Sequence, residues 1–236
     1  MPDALAAHAE AHGHSHGHAA HNPNLQHHFE TLEQQKEAST LGMWIFIVQE
    51  VMFFGGLLMA YFLYRVWYHE AWVEGSQELD ILLGGFNTVV LIGSSLTMAL
   101  AVRSAQIGAR KATVNWLLAT MALGTVFLIV KVFEYHHKWE LGHVPGLNWT
   151  MTGPHASQVE IFISLYFALT GLHALHMVIG FVLLSVITWM AHKGRFSPDW
   201  YTPVEMSGLY WHFVDIVWIF LFPLLYLVDR VAPHVG

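Results

Sequence analysis

The chain has 236 residues, of which 55% are hydrophobic and only 11% are charged, whereas soluble domains carry about 25% charged residues. The absence of cysteine excludes disulfide bonds and cysteine-ligated metal centres, and the formal net charge of −7 gives no indication of nucleic-acid binding. Several apolar runs of about 20 residues, the length of helix that crosses a bilayer, predict an all-α membrane protein with several spans.

Residues 1–40 are polar and rich in alanine and histidine, and we expect a largely disordered tail because this composition buries too little apolar surface to fold. The start lacks the charged segment and apolar run of a secretory signal. Imidazoles bind metal, but histidines that alternate with glycine and serine fix no geometry, so adventitious affinity and a metal site both stay open. Nearest the membrane, Phe29–Ser39 is predicted to form a short amphipathic helix. The histidines of the tail are His8, His12, His14, His16, His18, His21, His27 and His28.

Leu41–Tyr64 is the first predicted span, and its one acidic residue is Glu50. At 1.5 Å per residue, Glu50 lies about 14 Å from the helix start, near the middle of the membrane. A carboxyl group there must be neutralised or paired. Two interpretations stay open: a group that handles protons, and a protonated side chain bonded to a neighbouring helix. Gly55 and Gly56 follow and would let another helix approach closely.

The second predicted span, Ile81–Val102, follows a loop over Arg65–Asp80 that is rich in acidic residues. Small and hydroxyl-bearing residues occur in this span at Asn87–Thr88 and at Gly93–Thr97. This composition is typical of a packed interface between membrane helices.

The third predicted span, Val114–Tyr135, follows a short basic loop. Lys131 and Glu134 lie three residues apart and are predicted to pair, with long side chains that reach toward the membrane interface. His136 and His137 are adjacent, so they point in different directions and make a poor two-ligand site.

The fourth predicted span, Ile161–Met190, carries His173 and His176 near its middle. Because the two histidines lie three residues apart, they share one helical face. A metal ion that bridges them would need ligands from other helices. Imidazoles that hydrogen-bond to neighbouring helices are therefore favoured, while the metal interpretation stays open.

The fifth predicted span, Leu209–Val228, opens on the stretch Tyr210–Trp218. His212 and Asp215 share one helical face just inside the apolar zone. Polar groups at that depth need partners and should face protein rather than lipid. Two interpretations stay open, a hydrogen-bonding pair that joins helices and a proton or ligand site.

Five spans place the two termini on opposite sides of the membrane. The loops after the second and fourth spans hold five basic residues, whereas the loops on the other side hold two, Arg65 and Lys138. The excess of positive charge predicts a cytoplasmic N-terminus and a C-terminus outside. We therefore divide the chain into a His-rich cytoplasmic tail, residues 1–40, and a five-span membrane domain, residues 41–236. The five basic residues are Arg103, Arg110, Lys111, Lys193 and Arg195.

The stretch Tyr210–Trp218 resembles the signature of subunit III of haem–copper oxidases, the cytochrome c oxidase type. Other segments of the chain resemble motifs of the same family in the same order. Ordered matches from Leu41 to Tyr226 are far more specific than any one motif alone. The further segments are Glu50–Phe54, Asn87–Thr88, Ser94–Ser95, Phe133–Tyr135, Thr170–His176 and Glu205.

The resemblance implies a non-catalytic subunit of a terminal oxidase in a bacterial cytoplasmic membrane. Such a subunit has no catalytic residue and binds neither haem nor copper, which are expected in partner subunits. It packs directly on subunit I, in a complex with subunit II, binds phospholipid, and supports proton uptake and stability of the complex during O2 reduction. Glu50 matches the family's buried carboxylate that reacts with carbodiimides, and His173 and His176 match its paired histidines. The remaining polar anchors are Glu134, Tyr135, Glu205, Trp211, His212 and Asp215.

The chain also departs from the family pattern. Members with seven spans have two further helices at the start, which form one wall of a lipid-filled cleft, so another subunit would have to supply that wall. Where the family has a basic ligand for the lipid head group, this chain has Met190. His192 and Lys193 lie just beyond and are the candidates for the head-group contact.

Three other interpretations stay open. The chain could be a subunit III-like part of a nitric oxide reductase or a quinol oxidase, a proton-coupled or metal transporter, or an intrinsic haem protein. The transporter interpretation is disfavoured because the halves show no inverted repeat and no matching broken helices. Counting along antiparallel helices predicts that Glu50 lies within about 12 Å of His173 or His176.

Overall fold

The computed structural model describes residues 24–228, and the tail histidines from His8 to His21 lie outside this range. Within it the chain forms helices and no β-strand, and five of the helices are long and apolar enough to cross a membrane. This confirms the predicted all-α fold with five spans. The helices are α1 (Leu32–Trp67), α2 (His69–Gln77), α3 (Ile81–Gln106), α4 (Arg110–Glu140), α5 (Ala156–His192) and α6 (Thr202–Tyr226).

Helix α1 begins nine residues before the predicted span, because the hydroxyl of Thr31 caps it by accepting a hydrogen bond from the backbone N–H of Gln34 at 3.1 Å. The short amphipathic helix predicted over Phe29–Ser39 is helical from Leu32 onward, but it is continuous with the first span. Since nothing breaks the helix at Ser39, these residues form its first turns. With 36 residues, α1 is about 54 Å long, which exceeds the ~30 Å hydrocarbon core of a bilayer.

Helix α2 lies in the segment that we predicted as a loop, Arg65–Asp80. Because the segment is rich in acidic residues, the sequence does not reveal the narrow buried face of α2, which includes Trp72 and Gly75. A Cβ atom on Gly75 would lie 2.4 Å from the Phe162 ring, so this helix packs directly on the start of α5. The face is only two turns long, which is too short for a clear hydrophobic period.

Helices α3, α4, α5 and α6 form a ring in which each helix packs on two neighbours. Helix α1 lies outside the ring, against α5, α6 and α2, and contacts neither α3 nor α4. Only 17% of its apolar segment is buried, compared with 28–50% in the four helices of the ring. We call the end of the bundle where α1 begins the amino-terminal end, and the end where α2 lies the carboxyl-terminal end.

The core of the ring is centred on Trp211, which is fully buried where α4, α5 and α6 meet. A Cβ atom on Gly124 of α4 or on Gly180 of α5 would lie 3.0 Å from its ring carbons. The indole Nε1 donates to the hydroxyl of Ser94 on α3 at 3.1 Å. Gly124 and Gly180 therefore create the space for the Trp211 ring. The indole N–H, the one polar group of Trp211, bonds α3.

Helix α1 is attached to α6 near both ends. At the amino-terminal end, Lys36 Nζ lies 3.1 Å from a carboxylate oxygen of Glu205 and 3.2 Å from the hydroxyl of Tyr201. Further along α1, the hydroxyl of Tyr61 donates to the carbonyl of Leu224. Glu205, predicted as a polar anchor, thus contacts the first helix.

Candidate functional site

The carboxyl group of Glu50 meets the imidazole of His176 in the interior, where α1 packs on α5. Glu50 Oε2 and His176 Nε2 lie 3.0 Å apart, and the two residues are only 8% and 7% exposed. This distance is well inside the limit that we set by counting along the helices. The contact joins the one acidic residue of the first predicted span to the ring.

The backbone of α5 determines how many protons this pair holds. His176 Nδ1 lies 2.8 Å from the carbonyl oxygen of Leu172, which can only accept a hydrogen bond, so Nδ1 carries a hydrogen. Nε2 and the Glu50 carboxyl then share one proton. It lies either on the acid, giving a neutral pair, or on the imidazole, giving an ion pair. The hydroxyl of Tyr210 donates to the backbone carbonyl of His176 at 2.9 Å.

A second buried site surrounds Lys131 and Glu134 of α4. Lys131 Nζ donates to Glu134 Oε2 at 2.9 Å, to the Tyr226 hydroxyl at 2.7 Å and to the Tyr166 hydroxyl at 3.2 Å. The two tyrosine hydroxyls in turn donate to Glu134 Oε1, at 2.5 Å from Tyr226 and 2.8 Å from Tyr166. All three ammonium hydrogens are therefore used, and both carboxylate oxygens are bonded.

The predicted pairing of Lys131 with Glu134 is confirmed, but the predicted reach of both side chains toward the interface is wrong. The residues are 4% and 5% exposed, because they point into the ring rather than along it. The ammonium also lies 4.8 Å from the centroid of the Trp218 ring, a cation–π distance. Tyr135 bonds elsewhere, with its hydroxyl 2.6 Å from that of Thr170 on α5.

Sequence reasoning missed Tyr166 and Tyr226, since their role depends on which helix faces α4. A lysine three residues before an acid inside an apolar run was the available signal. It predicts the pair but not the aromatic residues that surround it.

The motif Tyr210–Trp218 bonds α6 to the hydroxyl-rich face of α3. His212 Nδ1 lies 2.7 Å from the hydroxyl of Ser95. Asp215 is 2% exposed, and both of its carboxyl oxygens lie 3.5 Å from the hydroxyl of Ser94. These contacts agree with the interpretation of His212 and Asp215 as a pair that joins two helices. They also support the prediction of a packed interface on the second span.

His173 differs from His176 although both lie on one face of α5. It is 0% exposed, yet neither ring nitrogen has a hydrogen-bonding partner among residues 24–228. Its ring packs against Phe127 and Trp218 at centroid distances of 5.3 and 5.2 Å. The expected interhelical hydrogen bond is therefore made by His176 alone, because aromatic side chains surround His173.

His192 and Lys193, the candidates for a lipid head group, lie exposed at the amino-terminal end. The backbone carbonyl of His192 accepts a hydrogen bond from the guanidinium of Arg110. Lys193 Nζ lies 5.7 Å from the centroid of the exposed Trp189 ring. A cation beside an exposed tryptophan at the end of a span is typical of the membrane interface.

Within the described part of the chain, no group of three or more histidine, aspartate or glutamate side chains is placed to hold a metal ion. Glu50 meets His176 but does not complete a three-ligand group with His173. The buried polar groups of the two sites described above, Glu50 with His176 and Lys131 with Glu134, bond each other instead.

Comparison with known proteins identifies the family. The sequence model of the family described as cytochrome c oxidase subunit III matches residues 24–229. The chain belongs to the cytochrome c oxidase subunit III family.

Relatives within this family resemble the chain over most of its length. Cytochrome c oxidase subunit 3 of Thermostichus vulcanus is 33% identical over 195 residues, which cover 80% of this chain and 87% of that protein. Cytochrome bo(3) ubiquinol oxidase subunit 3 of Pseudomonas putida is 29% identical over 195 residues, covering 81% and 86%. Heme-copper oxidase subunit I+III of Aeropyrum pernix is 30% identical over 199 residues, covering 82% of this chain and 23% of that protein.

Subunit III family membership makes the chain a haem–copper oxidase subunit and an integral membrane protein. The matched range includes all five long helices and both buried polar sites. It therefore supports the oxidase interpretation over a transporter built on Glu50 and the paired histidines.

Proposed function

We propose that this chain is the non-catalytic subunit III of a bacterial terminal oxidase, in which it packs directly on subunit I and supports proton uptake and stability during O2 reduction. The observation that carries the proposal is the family match over residues 24–229. The relative named as subunit I+III supports direct contact with subunit I, because one polypeptide there carries both names. Haem and copper belong to the partner subunits, and the complex lies in the bacterial cytoplasmic membrane together with subunit II.

A quinol oxidase is the second candidate complex. Relatives named for cytochrome c and for ubiquinol are 33% and 29% identical to this chain, so its own sequence does not select the electron donor. The donor is a property of the partner subunits, and mass identification of those partners distinguishes the two complexes.

The orientation follows from charge. The amino-terminal end carries Arg103, Arg110 and Lys193 among its basic residues, and we place it in the cytoplasm. His192 and Lys193 then face the inner lipid head groups, where a phosphate would bind beside the Trp189 ring.

The Glu50–His176 pair provides the proton-related part of the proposal, because it holds one shared proton. Replacing Glu50 by Gln should keep the contact, since the amide can donate to Nε2 of His176. We expect full assembly and only a modest fall in turnover, measured as O2 consumption of the purified oxidase. Replacing Glu50 by Leu should lower the free energy of unfolding by about 1–3 kcal/mol, because Nε2 loses its partner. Complete loss of O2 reduction by an assembled Glu50→Gln complex would contradict an accessory role.

The outer face of α1 is the surface that we assign to subunit I. This helix is the least buried of the five. A Cβ atom on Gly55 or Gly56 would meet nothing within 4 Å, so the close helix contact that these glycines allow is not made inside the described chain. Small residues of this kind let the backbone of a partner helix approach closely.

A pull-down in mild detergent tests both the complex and this surface. The tagged chain should recover a haem–copper subunit I, and the optical haem spectrum should leave with that partner. Replacing Gly56 by Leu should abolish recovery while the chain stays folded, because the side chain enters the contact. The matched control is Ala122→Leu on the exposed side of α4, which should recover subunit I normally. A stable homo-oligomer without a haem partner would overturn the proposal.

A further inference from the structure

Two side chains inside the ring have no hydrogen-bonding partner among residues 24–228. His173 on α5 and Asn87 on α3 are both 0% exposed. Neither ring nitrogen of His173, and neither the oxygen nor the nitrogen of the Asn87 amide, meets a protein donor or acceptor. Roughly 90% or more of buried polar groups in proteins are bonded, so two complete exceptions in one small core require an explanation.

His173 lies beside Trp218, and Asn87 lies within one residue of the level of Trp218 along α3. The ring centroids of His173 and Trp218 are 5.2 Å apart. Thr88, the residue that follows Asn87, accepts a hydrogen bond from Trp218 Nε1 at 3.1 Å. Phe127 lies 4.8 Å from Trp218 and 5.3 Å from His173, between ring centroids. We call Asn87, Phe127, His173 and Trp218 the interior layer.

The polar cluster around Lys131 lies next to this layer, and its donor hydrogens already bond other members of the cluster. The Lys131 ammonium lies 4.8 Å from the centroid of the Trp218 ring. Its three hydrogens bond Glu134, Tyr166 and Tyr226. Every donor hydrogen of this cluster is already bonded within it, because both tyrosine hydroxyls donate to Glu134. The cluster therefore has no hydrogen to donate to the acceptor nitrogen of His173 or to the amide oxygen of Asn87.

The unpartnered atoms define the chemistry of what would bind them. A neutral imidazole offers one donor and one acceptor, and an amide offers an acceptor oxygen and two donor hydrogens. A ligand for this set must be small and neutral, and must both donate and accept. Water has these properties, and a buried water typically makes 2–4 hydrogen bonds to groups that are otherwise unsatisfied. We propose that the interior layer binds ordered water, held by His173 and Asn87.

In this proposal the water would enter from a cleft at the carboxyl-terminal end. Its volume is about 490 Å³, and it lies between the start of α3 and the last turns of α4. Glu134 and Lys138 line it together with Phe133. Because Glu134 also bonds Lys131, the Lys131 cluster connects the cleft to the interior layer.

Radiolytic footprinting of the full-length chain, within its oxidase or in detergent, tests the proposal. A short X-ray pulse makes hydroxyl radicals from water, including bound water, and these oxidise neighbouring side chains. Trp218 and Trp211 form a matched pair, since both are 0% exposed and both donate Nε1 to a hydroxyl of α3. We expect Trp218 to be oxidised several-fold faster than Trp211. Equal protection of the two tryptophans would overturn the proposal.

A double variant identifies the residues that hold the water. Replacing His173 by Phe and Asn87 by Leu removes all four unpartnered polar atoms and nearly keeps their volume. Oxidation of Trp218 should then fall to the level of Trp211, and unchanged oxidation would contradict the assignment. Thr97→Val is the control. It removes a hydroxyl of α3 that pairs with Thr120 of α4, away from the interior layer, and should leave the oxidation of Trp218 unchanged. The comparison of the two tryptophans in the unmodified chain decides the proposal even if the double variant does not fold.

Discussion

Replacing Lys131 by Met should lower the free energy of unfolding by about 3–5 kcal/mol, because breaking a buried ion pair leaves one charge without compensation. Lys131 is 4% exposed, and among residues 24–228 its ammonium is the one cation bonded to the carboxylate of Glu134. The hydroxyls of Tyr166 and Tyr226 would lose a donor in the same step. We expect much less of the Lys131→Met variant than of the unmodified chain to stay folded in membranes, measured as the amount that survives treatment with detergent and protease.

A second substitution should restore much of this loss. In the double variant Lys131→Met, Glu134→Gln no charge remains, and the glutamine oxygen still accepts from both tyrosines. Uncharged replacements of buried ion pairs are often neutral for stability. Lys193→Met, at an exposed lysine, is the control and should leave the amount unchanged. If Lys131→Met were as stable as the unmodified chain, the buried cluster would not contribute to the fold as described.

The second large effect is expected at Gly180. Valine there should lower the free energy of unfolding by at least about 1–3 kcal/mol, the usual effect of overfilling a packed core. A first carbon would already lie 3.0 Å from the Trp211 ring and 3.2 Å from the Tyr210 ring. Thermal unfolding in detergent measures the loss.

Gly56 is the matched control, because it is a glycine in the middle of a span with free space around it. Gly56→Ala should be neutral or stabilising by up to about 1 kcal/mol, since alanine has the higher helix propensity. A similar loss at both positions would mean that helix flexibility, and not the space for Trp211, determines the effect.

The sequence was sufficient for the number of spans and for the proximity of Glu50 to His176. Apolar runs of membrane length are unambiguous, and antiparallel helices with a fixed rise put Glu50 and His176 at one level. The helix ends were less accurate, because a helix continues past the membrane until a cap or a turn stops it. Helix α2 was missed since its buried face, with Trp72 and Gly75, is too short to show a period.

Spacing along one helix predicted pairs but not what surrounds them. Lys131 and Glu134 were recognised as neighbours, yet their burial depends on Tyr166 and Tyr226, which come from other helices. His173 and His176 share one face, yet only His176 meets a carboxyl group. Which polar group finds a partner is decided by packing between helices, and a single sequence does not contain that information in readable form.

The position of α1 outside the ring has a consequence for biosynthesis. Glu50 leaves the ribosome 126 residues before its partner His176. At about 5–20 residues per second, the first helix therefore waits roughly 6–25 s before α5 exists to receive it. During this interval the acid must stay protonated or be shielded by the insertion machinery or by another subunit. The first helix to be synthesised can therefore complete its packing only after α5 has been made. Until then, insertion of the chain depends on the factor or subunit that shields Glu50.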